Sequence, residues 1–452
     1  MGDNKIIGRD GDKLEGLLED LQAEWIKSFT GWVKQIISET RCDLEDQPNG
    51  LLGKWELKLR DGLRPLQEQM LRGIISLVGD GYQGSFQSCS CGGQLHYKRR
   101  VKAKVYTLVG EMELERAYYY DKHCGKSICF LDKWLGIEES KWSPGMRRVL
   151  ALLGSEVPFD RASELVWETS GLVVSDNSVQ RVSERVGKEL NLYEAKERTK
   201  RYLEGLGQSD SQKRLYMEVD GGRVPLRRGW REVKLGCCFE GISGAGGDQR
   251  GQTNYFGGIY DDLGDFVNLW RQEARACGVK NGGKVVVLSD GAPWIWNQVA
   301  EEFPEAVQIL DFYHAVEHAG EVARVVFGEG SEAGKKWVEE VAQRLKKGEL
   351  DLVIKQLEGI KSKGRRVQQV IKQTVSYYQN NAHRMEYAHY LEKGYFIGSG
   401  VIESSCRHLS NQRLKIAGAR WDKDNANAIL SIRIARANKT WDNYWEGFRK
   451  SG

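Results

Sequence analysis

Three acidic residues of this 452-residue chain stand where a carboxylate could work on a phosphodiester: Asp220, Asp290 and Glu403. Leu215, Met217 and Val219 alternate along a strand that reads as ending at Asp220, and Val285 to Leu288 form a buried strand ending at Asp290. Each aspartate precedes a glycine, and Asp-Gly is also a common turn signal. For Asp220 that alternative is serious, because Asp220-Gly221-Gly222 separates two strand-like runs. For Asp290 it fails, because Pro293 to Phe303 continues as a helix. An acid at the carboxyl end of a buried strand, leading into a helix, is the usual address of a functional group in an α/β sheet. Glu403 lies among small residues, Gly398-Ser-Gly-Val-Ile-Glu-Ser-Ser405, which would let a backbone or a DNA strand come close. Its plainer reading is a solvated helix glutamate paired with Arg407 at i+4. Together the three acids suggest a two-metal site. Phosphodiester hydrolysis and strand transfer need a deprotonated hydroxyl aligned with its leaving group. Carboxylates are hard oxygen ligands suited to Mg²⁺ or Mn²⁺.

Asp311-Phe-Tyr-His314 and His318 add polar groups beyond a further strand, Val307 to Leu310. His314 and His318, at i and i+4, could bind a metal on one helix face, could fix a catalytic acid or a phosphate, or could be core histidines. Four cysteines form a second constellation. Cys89 and Cys91 precede a β-rich stretch from Gln94 to Tyr120, and Cys124 and Cys129 follow it. A hairpin turning at Val109-Gly110 would bring both pairs to its base, which is how a zinc ribbon assembles its thiolates. The C-x-C and C-x4-C spacings depart from paired C-x2-C knuckles, His123 competes as a ligand, and buried free cysteines remain the alternative.

The elements that would position these residues follow from periodicity. Leu14 to Ile37 gives one amphipathic helix and about Gln67 to Val78 a second, a packed helical hairpin or a dimerisation element. Ser143-Pro144 starts a helix, Arg161 to Glu168 forms another, and Ser175 caps a third from Asp176 that carries Val179, Val182 and Val186 on one side. This reads as a helix-turn-helix whose other side, with Gln180, Arg181, Ser183 and Arg185, would reach DNA. From Arg214 to Glu317 strands and helices alternate as β-β-β-α-β-α-β, with a glycine-rich loop from Gly241 to Gly251, which indicates a mixed sheet covered by helices. Ala315 to Tyr390 is helical and charged. Gly398 to Gly400 opens a helix holding Glu403, and Asp422 to Ala437 gives a last long helix.

The net charge of +4 is too mild to announce nucleic acid. Its distribution says more: Lys98, Arg99, Arg100, Lys102 and Lys104 crowd one short stretch, and Lys393 to Lys450 holds 11 Lys/Arg against 5 Asp/Glu. Such clusters suit a phosphate backbone or form a solvated face. No apolar leader is expected at Met1 to Lys13, and no run approaches a membrane span. Nine scattered cysteines indicate a reducing compartment. The expectation is a cytoplasmic, nucleoid-associated protein with no membrane partner.

Several ordered motifs resemble the DDE insertion-sequence transposases of bacteria, in the Kra-type branch related to Mutator-like elements. They are Thr107-Leu-Val-Gly-Glu with Arg116-Ala-Tyr-Tyr-Tyr, Phe130-Leu-Asp-Lys-Trp-Leu-Gly136 and Glu218-Val-Asp-Gly-Gly222. Leu288-Ser-Asp-Gly-Ala-Pro-Trp-Ile295, Leu310-Asp-Phe-Tyr-His314, Ile397 to Ser405 and Arg413-Leu-Lys through Gly418-Ala-Arg-Trp421 complete the set. The resemblance spans about Leu95 to Trp441. It implies a ribonuclease-H-like catalytic core with an all-helical insertion, Asp220, Asp290 and Glu403 as metal-binding acids, and Asp311 and His314 in support. Arg413, Lys415 and Arg420 would form a basic tail facing DNA, beside Arg407. Ser88 and Asp121 occupy positions where that family carries the first cysteine of each knuckle, with Cys89 and Cys129 displaced.

The organisation expected is residues 1–80 helical, 81–140 zinc-ribbon-like and 141–205 helix-turn-helix. Residues 206–317 form the first part of an α/β core, 318–393 a helical insertion and 394–452 the remainder of the core. The function expected is a DNA transposase that binds terminal inverted repeats and target DNA as a homodimer or higher oligomer, with Mg²⁺ or Mn²⁺ and also Zn²⁺ as metals. The alternative is a non-catalytic, domesticated DNA-binding protein. A purely helical scaffold would leave the strand-end acids unexplained.

Overall fold

A computed structural model describes residues 11–46, 50–138, 140–204, 214–244, 247–278, 284–361 and 364–450. The chain divides into two compact units, Met1–Ser183 with Asp442–Gly452, and Glu184–Trp441. It is a mixed α/β protein. No described helix is long and apolar enough to cross a membrane.

The first unit opens with a hairpin of two long helices, Gly11–Asp46 and Leu51–Val78. Indoles set its spacing. A Cβ on Gly73 would lie 2.8 Å from Leu21 Cδ2 and 3.1 Å from Trp25, and one on Gly62 would lie 2.9 Å from Trp32 Nε1. Near the turn Asp43 accepts from Trp55 Nε1 at 3.2 Å and Lys58 Nζ at 2.6 Å. The second helix begins well before Gln67, where its apolar periodicity becomes legible. Its first half sets Leu52, Leu59 and Leu63 among charged residues, leads into Pro65, and packs against the first helix at Gly62.

A four-stranded antiparallel sheet follows in the order β1 (Phe86–Ser88), β2 (Gln94–Thr107), β3 (Gly110–Tyr120), β4 (Ser127–Ile128). The β2–β3 turn is Leu108-Val109, one residue earlier than expected, closed by the pair Thr107↔Gly110 with Gly110 at φ 143°. The register shifts between Tyr97 and Arg99, a bulge that sets Lys98 outside the ladder. Next come helices Pro144–Glu156, Phe159–Ser170 and Asp176–Glu204. Ser143 Oγ caps the first by accepting Met146 N at 3.2 Å, left-handed Gly171 ends the second, and Ser175 Oγ accepts Ser178 N at 3.3 Å at the start of the third. Val179, Val182 and Val186 are buried as the periodicity requires. Ser183 corrects the expected DNA-facing side. It is fully buried, and its hydroxyl donates within the helix to Val179 O at 2.8 Å.

The second unit is built on a five-stranded sheet, β5 (Arg214–Leu226), β6 (Gly229–Gly244), β7 (Gly247–Gly258), β8 (Lys284–Ser289) and β9 (Val307–Leu310), in the order β7-β6-β5-β8-β9. β5, β6 and β7 form an antiparallel meander, while β8 and β9 run parallel to β5. Strands β6 and β7 extend through most of the expected glycine-rich loop, because their register continues to Gly244↔Gly247. Helix Leu263–Ala276 covers one face, where Trp270 Nε1 lies 3.3 Å from Met217 Sδ. Between β9 and the Glu403 segment the described residues are helical: Phe312–Phe327, Glu332–Lys346, Leu350–Glu358, Arg365–Asn381 and Tyr387–Glu392, with a 3₁₀ turn at Ala382–Arg384. Helix Gly400–Ser405 then runs into a π-helical turn, Cys406–Asn411, and Lys423–Ala437 is the last long helix of the unit.

Candidate active site and metal-binding groups

Asp220 does not end its strand. β5 continues to Leu226 and pairs with β6 through Leu226↔Gly229, so Asp220-Gly221-Gly222 is not a turn. What ends near Asp220 is the other neighbour. β5 pairs with β8 as far as Glu218↔Leu288, and two residues further along each strand stand Asp220 and Asp290. Adjacent strands lie about 4.8 Å apart, so the two aspartates occupy neighbouring positions where β8 leaves the sheet. β9 brings a third acid alongside: Ser289 pairs with Leu310, and Asp311 N donates to Ser289 O at 2.9 Å.

The three neighbouring acids have different work. Asp311 is buried and committed. It accepts His314 N at 2.7 Å, capping helix Phe312–Phe327, and its other oxygen accepts both the amide and the hydroxyl of Ser399. It thereby fixes the loop entering the Glu403 helix and is a positioning group. Asp290 Oδ1 accepts Ala292 N at 3.0 Å, and its own carbonyl accepts the Tyr377 hydroxyl at 2.8 Å. Gly291 between them is at φ 90°, and a Cβ there would lie 2.9 Å from both Tyr377 Oη and Leu310 Cδ1. Only glycine fits this turn. Asp220 accepts Gly221 N at 2.6 Å. Burial pushes its carboxyl above the usual range; hydrogen bonds from the Cys406 thiol and Gly221 N oppose this, the charge of Asp290 adds to it, and His314 opposes it.

Glu403 is exposed on helix Gly400–Ser405, which packs against β5 and β6. Among the described residues it makes no ion pair with Arg407, and neither Asp220 nor Asp290 is ion-paired. Burial pushes the Cys406 thiol up, and the charges of Asp220 and, more weakly, Glu403 add to this. The oxygens of Asp220, Asp290 and Glu403 are nonetheless not gathered within 4.8 Å of one another, as the side chains of two other groups are.

His314 and His318 do not converge as a ligand pair. Their rings meet edge to face at 5.2 Å, and each Nδ1 faces a glutamate of its own helix, Glu317 at 3.2 Å and Glu321 at 3.9 Å. His318 also packs on Tyr377 at 4.0 Å, and desolvation lowers its pKa.

Sequence periodicity missed Glu218. It shares a face of β5 with Asp220, is almost fully buried, and accepts Ile402 N at 2.9 Å, one residue before Glu403. Burial pushes its carboxyl up to about 8, with the Ile402 amide opposing. The i, i+2 spacing from Asp220 was the available signal. The side chain lines a cleft of about 620 Å³ with Arg250, Tyr313 and Gly398.

The basic residues divide. Lys98, Arg99, Arg181, Arg185, Arg407, Lys415 and Arg420 are exposed. Arg100 is exposed but pairs with Asp80 at 2.6 Å, and Lys102 and Lys104 pair across the hairpin with Glu113 and Glu111 at 2.8 and 2.6 Å, so the expected five-base cluster is largely neutralised. Arg413 corrects the expected basic tail. Its guanidinium is buried, 4.8 Å from the Trp421 ring centroid, and it cannot face DNA.

Cys89, Cys91, Cys124 and Asp121 form the first compact group that could hold a metal ion. Asp121 stands where Cys129 was expected. Cys129 instead precedes helix Phe130–Trp134, and burial raises its thiol pKa. Cys89 and Cys124 sulfurs are 3.6 Å apart, and Cys91 Sγ is 3.2 Å from Asp121 Oδ2. Hydrogen bonds from Cys89 and His123 N hold the Asp121 carboxyl well below the usual range. Tetrahedral ligands at about 2.3 Å from an ion stand about 3.8 Å apart, so the sulfur spacing fits. The second group, Cys238, Glu273 and Cys277, fits a cation poorly, because Glu273 is already paired with Arg198 at 2.6 Å and Arg201 at 3.0 Å.

Known proteins resemble the chain over most of its length. A UPF0236 protein encoded 3′ of vanSb in Streptococcus gallolyticus is 23% identical over 369 residues, covering 76% of this chain and 75% of the relative. A UPF0236 protein of Caldanaerobacter subterraneus subsp. tengcongensis is 24% identical over 353 residues, covering 75% and 70%. Another from that bacterium, 23% identical with 75% and 69% covered, has a name that joins eleven designations. The model of an uncharacterised protein family, UPF0236, matches residues 93–446, a span that includes Asp121 and Cys124 of the thiol group but not Cys89 or Cys91, together with the whole five-stranded sheet and the Glu403 helix. This chain therefore belongs to the uncharacterised family UPF0236.

Proposed function

We propose that the chain is a metal-dependent DNA transposase that binds terminal inverted repeats, cuts strands at the element ends and joins 3′ hydroxyls to target DNA. The observation that carries this reading is the neighbouring positions of Asp220 and Asp290 where β8 leaves β5, with no cation paired to either among the described residues. The sheet order β7-β6-β5-β8-β9, with a helical segment before the Glu403 helix, supports a ribonuclease-H-like core, the fold implied by the sequence resemblance. A relative whose name joins eleven designations in one bacterium supports an element that copies itself.

Asp220, Asp290 and Glu403 would hold Mg²⁺ or Mn²⁺, since all three offer hard oxygens and none is ion-paired with a base among the described residues. Ligands of two ions roughly 3.5–4 Å apart are spread wider than those of one, which suits acids that do not close into a single tight cluster. The bound ions supply Lewis acidity at the hydroxyl and the leaving oxygen. The chain's own residues hold the geometry: Asp311 fixes the loop before the Glu403 helix, Glu218 accepts the Ile402 amide, and Tyr377 grips the Asp290 turn. Exposed Lys415, Arg420 and Arg407 lie on the same segment as Glu403 and suit phosphates.

With Mg²⁺ or Mn²⁺ and DNA carrying the element ends, the purified chain is expected to nick at the end junctions, read as labelled fragments on denaturing gels. Binding to those ends without nicking in either metal would replace this reading with that of a non-catalytic DNA-binding protein.

The thiol group with Asp121 takes Zn²⁺, whose soft and borderline ligands it supplies. About one zinc per chain is expected by plasma mass spectrometry, with Cys91→Ser reducing it to a small fraction and lowering the unfolding temperature. Zinc-free protein with unchanged stability would remove the assignment.

A further inference from the structure

The helical hairpin carries an inward apolar stripe on each helix and, beside it, a second stripe that stays largely exposed among the described residues. On Gly11–Asp46 the inward stripe is Leu21, Trp25 and Trp32, which meets Gly62 and Gly73. One residue further on stands a second stripe, Ile26, Phe29, Val33, Ile37 and Leu44, whose spacings of three, four and seven keep it on one side. Ile26 is 58%, Phe29 49%, Ile37 64% and Leu44 56% exposed. Helix Leu51–Val78 repeats the arrangement. Gly62 and Gly73 face inward, and Leu52, Leu59, Leu63, Leu66, Met70 and Ile74 form the second stripe, with Leu52 70%, Leu59 42% and Ile74 50% exposed.

In an antiparallel hairpin of right-handed helices, a step of about 100° along each chain turns both helices toward the same side of the hairpin. The two outer stripes therefore make one continuous apolar face. The opposite flank of the second helix is mixed: Arg72 pairs with Glu68 at 2.7 Å and Asp61 with Arg64 at 3.0 Å, Leu57 is exposed, and Leu71 and Ile75 pack on the Val105 and Met112 core. The back of the second helix is already used, with Arg64 and Arg60 donating to carbonyls of Gly171 and Glu168. Ile74, at one end of the outer face, borders the cavity lined by Val105 and Met112, and the rest of the face is open to solvent among the described residues.

We propose that this face is the dimerisation surface of the chain, and that its occupant is the same face of a second copy, packed as an antiparallel four-helix bundle. The size is right. The eleven apolar side chains of the two stripes, each offering on the order of 70 Å², approach the roughly 800 Å² per partner of a stable interface. Charge chooses the orientation. The first helix carries nine acidic and four basic residues, the second three acidic and five basic. A two-fold axis parallel to the helices lays the acidic helix of one copy against the basic helix of the other, whereas a perpendicular axis would pair like with like. The hairpin precedes the family-matched residues 93–446, so this surface is a feature of the chain outside the shared segment.

The test is the mass of the full chain in solution, by light scattering at about 10 µM without DNA. The intact protein is expected near twice 51.3 kDa. Ile26→Glu with Ile37→Glu is expected to run as a monomer with an unchanged helical circular dichroism spectrum, and Lys34→Ala, off the stripe, as a dimer. Leu59→Glu with Met70→Glu provides an independent break from the second helix. A monomeric wild-type chain overturns the proposal, as does a dimer that survives both folded double variants. Neither result bears on DNA cleavage.

Discussion

Asp290→Asn is expected to lower metal-dependent strand cleavage by at least about 10³-fold, more than about 4 kcal/mol of barrier, while leaving the fold and DNA binding intact. Asparagine keeps the size of the side chain and the oxygen that accepts Ala292 N at 3.0 Å, so the turn into helix Pro293–Glu302 survives. It loses the anionic ligand. Because the charge of Asp290 helps to push the Asp220 carboxyl up, its removal relieves repulsion and leaves the unfolding temperature unchanged or slightly raised. Burst kinetics on labelled ends and a thermal melt check both halves. A variant with wild-type cleavage would exclude Asp290 from the chemistry.

Asp311→Ala carries the second large effect, by a different route. Asp311 touches no candidate ligand position, but it accepts from His314 N and twice from Ser399. Truncation leaves two backbone amides without their acceptor in a buried setting, at a cost of about 1–3 kcal/mol each. The expected fall in unfolding temperature is roughly 5–10 °C for a unit of this size. Cleavage should fall on the order of 10²-fold because the Glu403 helix loses its anchor. Asp311→Asn restores little, since its amide would set a donor against the Ser399 amide. Faster amide exchange at Ser399 and Ile402, with exchange in helix Leu263–Ala276 unchanged, would separate loss of positioning from general destabilisation. Wild-type protection at Ser399 would contradict the role.

How much of this was legible depended on whether local pattern or tertiary pairing decided the outcome. The Asp290 turn was readable because a continuous Val-Val-Val-Leu run and a proline-started helix bracket it. The Asp220 strand was misread as ending because glycines weaken the apolar alternation, although the ladder with β6 carries the backbone straight through Gly221 and Gly222. Glu218 escaped notice because a glutamate inside an apolar strand gives no period, and its burial depends on the Ile402 amide, 184 residues away. Arg413 looked like a surface base in a basic segment, and only the Trp421 ring folded over it shows otherwise. At the thiol group the hairpin and its cysteines were legible, but the exchange of Cys129 for Asp121 is set by where β4 and helix Phe130–Trp134 begin.

The central claim is that Asp220, Asp290 and Glu403 share divalent metal. Anomalous diffraction from crystals of the full chain with DNA ends and saturating Mn²⁺ addresses it without reliance on turnover. Two manganese peaks roughly 3.5–4 Å apart, within ligand distance of Asp220, Asp290 and Glu403, are the expected result. Fully occupied crystals with no manganese within ligand distance of Asp220 or Asp290 would contradict it.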